Sequence, residues 1–100
     1  MTKMKKNKTK ETVIRRDLRS DGYNHYEYEL IMRESRRTAS WRIPLYSVFV
    51  CLTDSEGEES QARLDDIFAD AGQALLFYDK LVRNLATPID LKYAFEDEKV

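Results

Sequence analysis

His25, Glu27 and Glu29 recur at alternate positions and are the first residues whose types could do chemistry. An imidazole with two carboxylates is the raw material of a metal centre or an acid–base pair. In an extended segment, however, alternate side chains share a face at ~7 Å per step, too far apart for all three to grip one ion. Solvated residues on a sheet face are the better reading. Cys51 is the only cysteine, so no intramolecular disulfide or thiolate zinc cage can form. Val50 and Leu52 flank it, and apolar surroundings raise a thiol's pKa and make it inert. Ser35, Ser40 and Ser47 lack a glycine-framed elbow, and Gly22, Gly57 and Gly72 are too scattered for a phosphate loop. The acids Asp54, Glu56, Glu58, Glu59, Asp65 and Asp66 miss the glycine and the terminal glutamate of a calcium loop, and read as a solvated hairpin tip. The expectation is a chain that is not an enzyme and uses no metal or cofactor.

Arg33, Arg36, Arg37 and Arg42, interleaved with Tyr23, Tyr26, Tyr28 and Trp41, resemble the basic and aromatic mixture of a single-strand binder. Charge along the chain is graded. Residues 1–20 carry eight basic and two acidic side chains, residues 21–53 four of each, and residues 54–100 five basic and twelve acidic. A nucleic-acid contact through Lys5, Lys6, Arg36, Arg37 and Arg42 is therefore the alternative functional reading. The balanced total, a net charge of −1, argues against a nucleic-acid footprint spread over the whole chain.

These residues need a scaffold. At 100 residues, 42% hydrophobic, the chain is sized for a single domain with a modest core. Residues 1–10 read as a flexible basic tail and residues 11–100 as one α+β domain. No run approaches the roughly 20 apolar residues of a membrane span, the start lacks a secretory apolar region, and a lone cysteine suits a reducing compartment. A cytoplasmic location is expected.

Alternation predicts the strands. Thr12, Ile14 and Leu18 lie opposite Val13, Arg15 and Asp17, with Arg16 breaking the apolar set. Asp21-Gly22 is a hairpin signal, because glycine takes positive φ without steric cost. The clearest strand then sets Tyr26, Tyr28, Leu30 and Met32 against His25, Glu27, Glu29 and Ile31. Arg33 to Ser40 is polar and reads as a connection. Trp41 to Thr53 is apolar in both alternation classes, with Pro44 confining its start to an edge or bulge. Asp54 to Gly57 is the next turn. Residues 60–86 fit one long helix, but strand 60–68 followed by helix 71–85 is preferred, with Asp70 and Gln73 as a capping pair. Thr87 and Pro88 then open a short helix that buries Leu91, Ala94 and Phe95 and ends near Glu98.

From Ile67-Phe68-Ala69-Asp70, through Ala74, Leu75, Leu81 and Asn84, to Thr87-Pro88-Ile89-Asp90-Leu91 and Phe95-Glu96-Asp97, the chain resembles a family of short clostridial-type bacterial proteins known only as a domain of unknown function. The family's pattern is a strand ending in a Ser/Thr-Asp step, a helix, and a Pro-x-x-Leu helix closing in an acidic pair. Here Ala69 precedes the capping acid, and Lys99-Val100 follow the acidic run. The resemblance implies strand-then-helix over one long helix, and it brings no activity.

The expected architecture is a four-stranded, mainly antiparallel β-meander with two C-terminal helices packed on one face. Ile14, Tyr28, Leu30, Met32, Phe49, Leu64, Leu75, Tyr78, Leu81, Leu91 and Phe95 would form the core. Ile31, Val48, Val50 and Leu52 would then crowd the open face and bind a partner, most simply a second copy as a homodimer. The leading functional expectation is a self-associating protein–protein interaction module.

Overall fold

The computed structural model describes residues 10–38 and 41–98. Strands β1 (Glu11–Ser20), β2 (His25–Thr38), β3 (Trp41–Thr53) and β4 (Glu59–Phe68) form one antiparallel sheet in that spatial order, followed by α1 (Ala71–Arg83) and α2 (Pro88–Glu98). Both helices pack on the same face, so the α+β two-layer meander holds as expected. The molecule measures 49 × 41 × 19 Å. Fourteen residues of β2, at about 3.4 Å each, account for its long axis.

The core follows the alternation of β2. Tyr26, Tyr28 and Leu30 face the helices and sit opposite Leu52, Val50 and Val48 of β3, and Ala74, Phe77, Tyr78, Leu81 and Leu91 close over them. Two tyrosines spend their hydroxyls inside this layer. Tyr28 Oη donates to the Ala86 carbonyl at 2.8 Å, and Tyr78 Oη donates to Asp17 Oδ2 at 2.8 Å while lying 3.1 Å from the Tyr28 carbonyl oxygen. Burial pushes both phenols well above the ordinary tyrosine range, and the Asp17 carboxylate pushes Tyr78 further. These bonds tie β1, β2 and the end of α1 together.

Helix boundaries obey local chemistry. Gln73 N–H donates to Asp70 Oδ2 at 2.8 Å, the expected N-cap. Thr87 and Asp90 bond each other's backbone N–H reciprocally, with Pro88 at the first helical position where its missing donor costs nothing. α1 stops at Arg83, two residues before its expected end, in a Schellman closure: Leu85 N–H bonds the Val82 carbonyl and Ala86 N–H the Leu81 carbonyl. Leu85 holds the left-handed turn at φ 52° in place of the usual glycine. Its side chain packs against the core, which offsets a backbone cost of about 1–2 kcal/mol.

Four expectations are corrected. Of the expected connection, Arg33 to Thr38 is strand, because β2 continues to Thr38 with partners in β3 from Trp41 to Leu45, while Ala39 and Ser40 lie outside the described residues. Val48 and Val50, at 0% exposure, and half-buried Leu52 belong to the helix-covered face. They were expected on the open face, but β3 is apolar in both classes and only its pairing with Tyr26, Tyr28 and Leu30 settles which class turns to the helices. Phe49, assigned to the core, accordingly lies on the other face. Ile14, also assigned there, is 43% exposed, because a bulge between Val13 and Arg15 takes it out of the ladder. The same bulge puts Val13 and Leu18 on one face and Thr12, Arg15 and Asp17 on the other.

At the β1–β2 turn, Gly22 takes φ 99° and Asp21 Oδ1 accepts the N–H groups of Asn24 at 2.7 Å and Tyr23 at 2.9 Å, while Tyr26 Oη donates to Oδ2. These donors, the Asn24 N–H foremost, hold the Asp21 carboxyl down to about 2. A carboxyl depressed on folding stabilises the native state above its unfolded pKa, and that contribution fades as pH falls towards the folded value. The gap in urea midpoint between the native chain and Asp21→Ala should therefore be widest above about pH 4 and close as pH approaches about 2. A gap that stays constant across that window would show that the carboxylate charge is not what the turn uses.

Candidate interaction surfaces

The helix-free face is built by register. From β1 it takes Glu11, Val13, Arg16 and Leu18; from β2, His25, Glu27, Glu29, Ile31 and Arg33; from β3, Ile43, Leu45, Ser47, Phe49 and Cys51; from β4, Gln61 and Arg63. Its charges are paired within the chain. Arg16 Nη2 lies 2.8 Å from Glu27 Oε2, with Glu29 also in reach. Arg33 Nε donates to Asp66 Oδ1 at 3.0 Å as one limb of a bidentate pair, and Arg63 bonds both Asp65 and Glu11. Because Glu11 belongs to β1 and Arg63 to β4, that last pair crosses over β2 and β3. Beneath this crossing the face is closed: Ile31 is only 4% exposed and Ser47 is buried although no helix covers them. Ser47 Oγ accepts the Asp66 N–H at 2.9 Å, fixing the β4 bulge at which Asp66 takes φ 55°. Along the edge strand β1 the face is bare, with Val13 50% and Leu18 63% exposed.

The sheet edges are blunted. β1 carries its bulge at Ile14 and exposed Arg15, Arg16 and Arg19, while β4 carries the Asp66 bulge and exposed Arg63 and Asp65. Bulges and charges on edge strands oppose pairing with another chain. Leu76, Ile89 and Tyr93 are exposed on the helices, turned away from the sheet.

His25 and Cys51, the lone histidine and lone cysteine of the sequence, line one shallow depression of about 180 Å³ with Leu18, Glu27 and Glu59. Burial, then the charges of Glu59 and Glu27, pushes the Cys51 thiol up, so it is a poor nucleophile there. No three His, Cys, Asp or Glu side chains among the described residues are placed to hold a metal ion.

Of the residues expected to bind a partner, only Ile31 is on the helix-free face, and it is buried there. For the nucleic-acid alternative, Lys5 and Lys6 lie outside the described residues, and Arg36 and Arg37 are in β2 and not in a loop. Arg42 is exposed in β3, 3.5 Å from Glu34. Sequence reading missed Val13, Leu18 and Phe49 as face-sharing residues, since only the bulge and the β2–β3 register bring them together.

The chain is thus a two-layer α+β domain with one covered and one bare sheet face. It belongs to DUF6514, a family of unknown function, whose pattern matches residues 4–98. No curated protein and no solved structure matches it. None of the helices among the described residues is long and apolar enough to cross a membrane.

Proposed function

We propose that this domain is a non-enzymatic protein–protein interaction module that self-associates through the helix-free face of its sheet, in the cytoplasm of a bacterial cell. The observation that carries this reading is that helices cover one face only, leaving Val13 and Leu18 at least half exposed beside half-buried Phe49 on the other. A second copy is the occupant that suits this surface. Arg16, Arg33 and Arg63 already have carboxylate partners in their own chain, so two identical faces can meet about a twofold axis without bringing unpaired like charges together. Blunted edges favour face-to-face contact over strand addition.

Light scattering of the purified chain at micromolar concentration tests it. Twice the chain mass is expected, falling to the single-chain mass in Val13→Glu/Leu18→Glu with an unchanged circular dichroism spectrum. A native chain that stays monomeric overturns the proposal.

A further inference from the structure

Leu18 is the most exposed large apolar residue on the helix-free face among the described residues, and it also lines the depression that holds His25, Glu27, Cys51 and Glu59. A contact that covers Leu18 therefore covers this depression too. All four strands contribute to it. Leu18 of β1 lies opposite Glu27 of β2, and His25, Thr53 and Glu59 form one row across β2, β3 and β4. His25 and Glu59 thus flank Thr53, two strand spacings or about 10 Å apart in the backbone. Both are exposed.

Most charges around His25 are already satisfied. On the β1 side, Arg16 is held by Glu27 and Arg19 by Asp17. In the β1–β2 turn, the Asp21 carboxylate accepts the Tyr26 hydroxyl and the N–H groups of Tyr23 and Asn24. On β3, burial pushes the Cys51 thiol up, so it stays neutral at pH 8 and below. Asp54, in the turn after β3, accepts the N–H groups of Glu56 and Glu58. The β4 side differs. Glu59 in the depression, and Glu56 and Glu58 in the turn before it, have no ion pair among the described residues.

We propose that self-association through this face is proton-linked, tightening as pH falls because His25 takes up a proton when the depression is covered. The inference rests on the self-association reading. Covering Glu59 strips water from an unpaired carboxylate, which is costly unless a cation shares the site. A charged imidazole in the same depression supplies that cation, and histidine changes charge between about pH 5 and 8. Desolvation of the imidazole acts in the opposite direction. The acids outweigh it, since Arg16 offsets Glu27 alone and leaves Glu59 and its neighbours in the turn unmatched. A group that holds its proton more tightly in the dimer than in the free chain favours the dimer at low pH.

Sedimentation equilibrium of the full chain over a range of concentrations, at pH 8, 7 and 6 and constant ionic strength, tests the proposal. The dimer dissociation constant should be lower at pH 6 than at pH 8 by roughly tenfold or more, as for a one-unit shift in proton affinity. His25→Gln should still dimerise, with a dissociation constant that is the same at each pH. This variant also separates the imidazole from the α-amino group, which titrates in the same window. Glu59→Gln should dimerise more tightly than the native chain at pH 8 and keep little of the pH dependence. A native dimer of equal strength at pH 6 and 8, or a pH dependence that survives in His25→Gln, overturns this inference and leaves self-association standing. A native chain that is monomeric at every pH overturns both.

Discussion

Val50→Glu is expected to unfold the domain. Val50 sits in the middle of β3 between Tyr28 of β2 and Ala62 of β4, at 0% exposure, under the helices. A carboxylate there would lose its hydration with no free cation beside it: Arg16, Arg33 and Arg63 are on the other side of the sheet, and Arg15 and Arg19, on the helix side in β1, already pair with Asp17 and, for Arg15, Asp79. An unpaired buried charge costs at least several kcal/mol, against a total stability of roughly 5–15 kcal/mol for a domain of this size. The variant should lack a cooperative urea transition and show reduced circular dichroism at 25 °C. Leu18→Glu, one strand from the middle but on the bare face, should shift the urea midpoint little, by the equivalent of about 0.5 kcal/mol. A folded Val50→Glu chain with a native-like midpoint would mean that β3 presents its other alternation class to the helices.

That contrast marks where the sequence is legible. β2 was readable from residue types because one class is apolar and the other carries His25, Glu27 and Glu29, so the pattern itself states which side is dry. β3 offers no such asymmetry: Tyr46, Val48, Val50 and Leu52 compete with Ile43, Leu45, Phe49 and Cys51, and either set could serve as core. The choice is made by the pairing with β2, a non-local fact. Ile14 misled for a related reason. A bulge shifts the parity of everything after it, and no residue type announces one in a charged edge strand. The helix caps were plain because Asp70, Gln73, Thr87 and Pro88 act on their immediate neighbours. The end of α1 was not, because Leu85 takes the left-handed position that glycine normally signals. Glu34–Thr38 reads as a connection for want of apolar alternation, which a two-stranded ribbon does not need. The gradient from a basic start to an acidic finish is visible along the chain, but only the antiparallel register brings the acidic residues of the β1–β2 and β3–β4 turns to the same end of the sheet.

Phe77→Ala is expected to be the most costly truncation in the helix layer. Phe77 of α1, Phe68 at the end of β4 and Phe95 of α2 form a closed ring triad, with centroids 5.5 Å, 5.7 Å and 6.0 Å apart and tilted or edge-to-face geometry. Phe77 takes part in two of its three contacts and is 1% exposed. Its removal forfeits a large buried side chain, two aromatic pairings and the packing around the cavity left behind, for about 3–5 kcal/mol. The melting temperature should fall by roughly 12 °C or more, since each kcal/mol is worth about 4–8 °C in a domain of this length. Phe77→Leu, which keeps most of the volume, should recover much of the loss. The damage should also be unevenly placed. α1 keeps the Tyr78–Asp17 bond and its N-cap, whereas α2 loses a principal apolar anchor and retains Leu91, its capping pair and the Lys80–Glu98 ion pair. Amide exchange should accelerate first and furthest in Pro88–Glu98, with β2 and β3 protected until global unfolding. Uniform acceleration across both helices would show that they undock as one unit.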